Sequence, residues 1–192
     1  MKHLIIYAHP NPNSFCHAIL QSVENVSKNK GHEVKIKDLY AINFNPTLQP
    51  SDFEAFGRGE IPSDIKCEQE EVKWADLITF IYPIWWASMP AILKGYIDRV
   101  FANGFAYKYE NNAPVGLLEG KKALVFNTTG SPSDAYAEDG MHDAMKQMVN
   151  DGIFKFCGIE PLYHTFFGAV PFVDDESRKE YLTKTETLIQ NL

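Results

Sequence analysis

The chain has 192 residues, 45% apolar and 22% charged, the balance of a globular protein long enough to bury a substantial core. Its 18 basic and 25 acidic residues give a net charge of -7, which argues against nucleic acid or an anionic membrane as the main partner. No apolar run approaches the roughly 18 residues of a membrane span. The three separated cysteines lack zinc-type spacing, so no metal and a reducing, cytoplasmic setting are expected.

Short apolar runs alternate with segments of helical period, the pattern of a parallel sheet flanked by helices. Residues 4–8 read as the first strand. A helix from Ser14 follows, with Phe15, Ala18, Ile19, Val23 and Val26 on one face and Gly31 as its stop. Val34 and Ile36 alternate with lysines as a half-exposed second strand ending near Leu39. Residues 40–66 are punctuated by Pro46, Pro50, Gly57, Gly59 and Pro62. They are too long for a simple connection, so a short helix around Phe53 or a surface packed on a partner is expected.

Residues 68–75 read as helical, and 77–82 as the almost wholly apolar strand at the centre of the sheet. Pro90 suits the first position of a helix that runs through Leu93, Ile97, Val100 and Phe101. Residues 123–126 form the fourth strand, 141–156 a helix closed by Gly158, 162–167 the fifth strand and 174–192 a last amphipathic helix. The expectation is one doubly wound α/β domain spanning residues 1–192.

In open α/β sheets ligands bind beyond the carboxyl ends of the strands, near the switch in strand order. Three such ends are unusual here. The first runs from His9 to His17, where a helix N-terminus favours an anion and Ser14 is a cap and a candidate phosphate donor. No GxGxxG or GxxxxGK[ST] is present, so neither a Rossmann dinucleotide site nor a triphosphate loop is supported. A plain capped turn explains the segment equally well.

The second end runs from Tyr82 to Pro90 and carries Trp85 and Trp86. Two adjacent indoles in so short a loop wall a flat conjugated ligand or form a dimer patch. The third is Asn127 to Ser131, followed by Tyr136 and His142. Its hydroxyls and backbone N–H groups offer donors to a ring edge, and the phenol and imidazole suit a developing negative charge. A purely structural tyrosine and histidine remains the alternative.

Taken in order, these segments are similar to one family. They are Ala8-His9-Pro10 with Ser14-Phe15, Asn43 to Pro46, Pro83 to Trp86, Pro90 to Gly95 and Arg99-Val100-Phe101. Phe105 to Tyr109, Thr128-Thr129-Gly130, Tyr136, Gly140-Met141-His142 and Phe156-Cys157-Gly158 continue the match. The chain resembles the NAD(P)H:quinone oxidoreductase (DT-diaphorase) family of flavodoxin-like flavoproteins. The resemblance implies a five-stranded parallel sheet of order 2-1-3-4-5 with helices on both faces. It also implies ping-pong hydride transfer from NAD(P)H through flavin N5 to a quinone, with FAD slightly ahead of FMN.

By the same resemblance, His9, Ser14, Phe15, Cys16 and His17 hold the flavin phosphate end. Pro83, Ile84, Trp85 and Trp86 contact the ring near N5, with Thr128, Thr129, Gly130 and Ser131 at its pyrimidine edge. Tyr136 and His142 are the catalytic pair, Tyr136 also contacting the cofactor and His142 the substrate. Trp86, Tyr107 and Tyr109 line the substrate pocket, the tyrosines coming from the second subunit of a homodimer.

Cys16 departs from the asparagine that many relatives carry, and Ser131 from a second glycine. The chain ends soon after its last helix, where animal enzymes continue, which bears on the adenine side of the flavin. Two other readings stay open: a reductase of azo or nitro compounds, and a flavin-binding regulatory subunit docked on a membrane transporter.

Overall fold

The most apolar strand of the sequence becomes the centre of the sheet. In the computed structural model, which describes residues 1–192, every residue of β3 (Leu77–Pro83) is buried. β1 (Lys2–Tyr7) and β6 (Lys122–Thr128) pair with it on either side, and β2 (Glu33–Asp38) and β7 (Glu160–Phe167) lie at the edges. All four pairings are parallel, in the order β2-β1-β3-β6-β7. With the separate hairpin β4 (Tyr107–Glu110) and β5 (Ala113–Gly116) set aside, this is the expected 2-1-3-4-5 arrangement.

The two-residue period of the strands divides the core into two layers. Ile5, Tyr7, Ile81, Leu124 and Phe126 face one way, against α1 (Phe15–Asn29) and α7 (Asp175–Gln190). Leu4, Ile6, Ile78, Phe80 and Val125 face the other, against α3 (Ser63–Trp74), α4 (Ala91–Val100) and the π-helix Gln147–Phe154. Each fully buried aliphatic side chain contributes roughly 1.5–3 kcal/mol. A polar link crosses the first layer's strands: buried His3 sits 2.9 Å from Ser27 Oγ and 2.7 Å from Thr79 Oγ1. Burial pushes its pKa down to about 3, so it is a neutral core group.

The long irregular segment does hold a helix around Phe53, α2 (Pro50–Gly57), and it is tied down by charge. Arg99, on α4, grips both carboxylate oxygens of buried Asp52 at 2.9 and 3.0 Å, the Asp64 carboxylate at 2.7 Å and the Asn45 carbonyl at 3.0 Å. Beside this anchor, backbone meets backbone. A Cβ added to Gly95 would stand 2.0 Å from the Pro46 carbonyl oxygen, so only glycine lets α4 approach.

Several boundaries differ from the sequence reading. Pro90 is the N-cap of α4 rather than its first helical residue. Residues 141–156 are not one α-helix. They divide into α6 (Met141–Lys146), the π-helix and a 3-10 turn (Lys155–Cys157), which Gly158 ends at φ +85°. The hairpin β4–β5 and the short helix α5 (Ser133–Glu138) were not foreseen. The hairpin turns through Asn111 and Asn112 at φ 53° and 64°, a conformation asparagine tolerates. No helix is long and apolar enough to cross a membrane.

Candidate active site

The chain runs outward from β1 to β2 and then returns to β3 on the other side of β1, so the order reverses between β1 and β3. The three unusual strand ends meet at this point. The rings of His9 and Trp85 lie 5.9 Å apart, joining the loops after β1 and β3. Ile84 N–H donates to the Thr128 carbonyl at 2.8 Å, joining the loops after β3 and β6. Thr129 N–H donates to the Phe167 carbonyl at 2.9 Å, which ties in β7.

At the first loop Ser14 caps α1, its Oγ accepting from His17 N–H at 3.2 Å and lying 3.3 Å from the Tyr7 hydroxyl. The backbone N–H groups of Phe15 and Cys16 have no partner and stand at the positive end of a 15-residue helix. His9 Nδ1 accepts from Asn11 N–H at 3.0 Å, and burial lowers the pKa of the ring. His17 meets Tyr7 edge-on, and its buried Nδ1 has no partner.

Cys16 does not stand in for an asparagine donor. Its side chain turns into the core, where Sγ lies 3.2 Å from Thr128 Oγ1. Burial pushes the thiol pKa up to about 12, so it is an inert packing group whose backbone alone faces the site. The threonines also differ from expectation. Thr128 Oγ1 is committed to Cys16, and Thr129 Oγ1 donates to the Ser131 carbonyl at 2.7 Å. The loop therefore offers the unpartnered N–H groups of Gly130 and Ser131 rather than the two threonine hydroxyls.

The second loop is a tight hairpin. Trp85 and Ser88 exchange backbone hydrogen bonds of 3.0 and 3.1 Å, with Trp86 and Ala87 between them at φ 51° and 55°. Two successive left-handed residues suit a type I′ turn but are costly without glycine, about 1–2 kcal/mol each. The turn holds Trp86 fully exposed, Trp85 42% exposed, and the N–H groups of Trp86 and Ala87 without partners. Strain of this kind is retained where a loop's shape is needed. Ala87→Gly is expected to raise stability by about 1 kcal/mol. That is roughly 2–4 °C in thermal denaturation, and an unchanged midpoint would show that the turn is not strained.

Tyr136 on α5 and His142 on α6 meet edge to face at 5.8 Å, and His142 stacks on Phe166 at 4.2 Å and 11°. His142 Nε2 is buried without a partner, and burial, then Lys146, lower the ring's pKa, with Asp143 opposing. Tyr107 and Tyr109 are not brought to this cluster within one chain. They lie on the hairpin that follows α4, with Tyr107 packed 4.9 Å from Phe156 and Tyr109 exposed.

Sequence reasoning named Asn127 only as the start of a loop and missed the half-buried His164, Asn150 and Phe166 that pack beneath the strand ends. The available signal was Asn127 and His164 among the apolar residues of two strands.

The class that this sheet and this switch-point cluster define is borne out by comparison. A family model described as a flavodoxin-like fold matches residues 1–189, and the chain belongs to that family. It is 46% identical over 180 residues to an uncharacterized NAD(P)H oxidoreductase of Haemophilus influenzae, covering 93% of this chain and 89% of the relative. Rat NAD(P)H dehydrogenase [quinone] 1 is 34% identical, covering 93% of this chain and 73% of the rat protein. Among solved structures, the NAD(P)H:quinone oxidoreductase of Methanothermobacter marburgensis superposes with a TM-score of 0.89 at 27% identity, over 100% of this chain and 96% of that one. With such relatives, the chain is an oxidoreductase.

Proposed function

We propose that the protein is a flavin-dependent NAD(P)H:quinone oxidoreductase. The observation that carries this is the set of unsatisfied polar groups beyond the carboxyl ends of the strands. The N–H groups of Phe15, Cys16, Trp86, Ala87, Gly130 and Ser131 lack partners, as do His17 Nδ1 and His142 Nε2. Orphaned donors at a helix N-terminus, beside exposed indoles and beside an open glycine loop, fit a flat ligand with polar edges and a phosphate. Gly130 has nothing within 4 Å of where a Cβ would stand, so the loop leaves room.

Ser14, the Phe15 and Cys16 N–H groups, His9 and His17 hold the phosphate in this reading. Pro83, Ile84, Trp85 and Trp86 lie along the ring, and Thr128, Thr129, Gly130 and Ser131 face its polar edge through backbone. Tyr136 and His142 balance charge there. A bound flavin supplies two-electron chemistry, accepting a hydride from NAD(P)H and passing it to the acceptor. The protein's part is to orient, exclude water and stabilise charge. The β4–β5 hairpin follows α4 in the chain and, within one chain, packs its Tyr107 on Phe156 rather than on the site. A homodimer that applies it to the partner's site would bring the partner subunit's Tyr107 and Tyr109 to the acceptor pocket.

The purified protein is expected to be yellow, and mass measurement of the released cofactor identifies FAD or FMN. It should oxidise NAD(P)H faster with a benzoquinone than with an azo dye. A colourless protein that takes up neither flavin sinks the proposal, and preference for the azo dye moves it to that substrate class. Trp86→Ala is expected to weaken flavin binding about tenfold, the scale of one aromatic contact.

A further inference from the structure

A polar chain runs beneath the two strand ends that frame the site. Asn127, wholly buried, donates through Nδ2 to the Tyr82 carbonyl at 3.1 Å. That bond fixes the amide, so Oδ1 faces His164 Nε2 at 2.8 Å and His164 must donate. Burial, followed by Lys146 and His142, lowers the pKa of His164 to about 3, which leaves the ring neutral. The proton sits on Nε2, and Nδ1 is an acceptor. Asn150 Oδ1 stands 3.0 Å from Nδ1; two acceptors cannot bond, so with the proton on Nε2 the amide is assigned the other way round, its NH2 group toward the ring. Asn150 belongs to the π-helix, a rare form that recurs at functional sites.

The same imidazole stacks on Phe166 at 4.7 Å and 24°, and Phe166 stacks on His142 at 4.2 Å. Three hydrogen bonds in series thus fix a ring that packs on a second ring, which packs on a third. A histidine serving only the core would need its two partners but not this shared Phe166.

We infer that His164 is a positioning residue for the site, holding His142 through Phe166 and the ends of β3 and β6 through Asn127. It touches no reacting atom. The inference rests on the role proposed for His142, although its geometry is independent of any ligand. The charged neighbours of the stack are Lys146, which acts on both imidazoles, and Asp143, which acts on His142.

Histidine 15N NMR of the whole protein tests it. In the wild type, His164 should hold its proton on Nε2 and should not titrate between about pH 8 and pH 5. In His164→Ala the titration midpoint of His142 should move toward the ordinary histidine range. The kcat for NAD(P)H oxidation should fall about tenfold with KM unchanged. Asn150→Ala removes only the outer link of the chain, and it should move the His142 midpoint in the same direction by less. This second variant keeps the test decisive if His164→Ala does not fold. A proton on Nδ1 in the wild type, or an unmoved His142 midpoint in a folded variant of either kind, overturns the inference. Because the NMR measurements need no turnover, they separate its failure from failure of the proposed activity.

Discussion

Arg99→Ala is expected to cost about 3–5 kcal/mol, the loss that follows when one partner of a buried ion pair is removed. Asp52 and Arg99 are each 4% exposed at the side chain, while Asp64 is 52% exposed and can turn to water. The cost therefore falls on Asp52. Its carboxylate also accepts from Gln49 N–H at 3.0 Å, so the start of α2 loosens with it. Thermal unfolding should shift downward by on the order of 10 °C. Arg99→Lys keeps the charge but loses the fork and should recover only part of that. A fall below about 1 kcal/mol would mean that water reaches the carboxylate freely.

The same pair sets the acid limit of this anchor. Its hydrogen bond to Arg99, opposed by burial, holds the Asp52 carboxyl below its usual value of 3.8. A depressed folded-state pKa stabilises the fold fully above the unfolded value and loses that contribution as pH falls through the folded one. The difference between wild type and Arg99→Ala should thus be constant at neutral pH and shrink below about pH 4. Equal acid midpoints in urea titrations would contradict this.

The sheet was legible because its cause is local. An almost wholly apolar run such as Leu77 to Tyr82 has few other uses, and Ser14 and Gly31 mark the ends of α1 by local capping chemistry. The hairpin β4–β5 was not legible, since two four-residue strands around Asn111-Asn112 carry too little period to count. Nor can apolar spacing distinguish the π-helix from an α-helix over eight residues.

At the site, the segments could be read but the direction of their side chains could not. Trp86 is exposed as its loop suggested, whereas Cys16 and the hydroxyls of Thr128 and Thr129 turn inward. Their orientation follows from contacts across 112 residues of chain in the case of Cys16 and Thr128. The Asn127–His164 bond likewise joins residues 37 apart, and no local pattern announces it.

Tyr136→Phe and His142→Ala are each expected to slow hydride transfer from NAD(P)H while leaving the flavin bound. The two groups differ from every other donor at the site in belonging to side chains on short helices, outside the strand-end loops that would carry the cofactor. Removing them leaves the phosphate end untouched. A single charge-stabilising donor in a dry site is worth about 2.7–4 kcal/mol of barrier, or 10²–10³ in rate. Exposure of the Tyr136–His142 edge to water places the effect at the lower end.

The sign of the pH dependence follows from His142. Burial holds its pKa below 6.5, so the ring is neutral at pH 7 and donates as an imidazole rather than as a cation. The acid limb of the wild-type rate should accordingly lie below 6.5 and vanish in His142→Ala. Tyr136→Phe should retain that limb at a reduced rate. Stopped-flow reduction rates unchanged in both variants would remove the pair from the mechanism, and an acid limb surviving in His142→Ala would assign it to another group. The two substitutions should not add, because the edge contact between the rings makes each hold the other in place. A double variant slower than either single by the full product of their effects would show that tyrosine and histidine act separately.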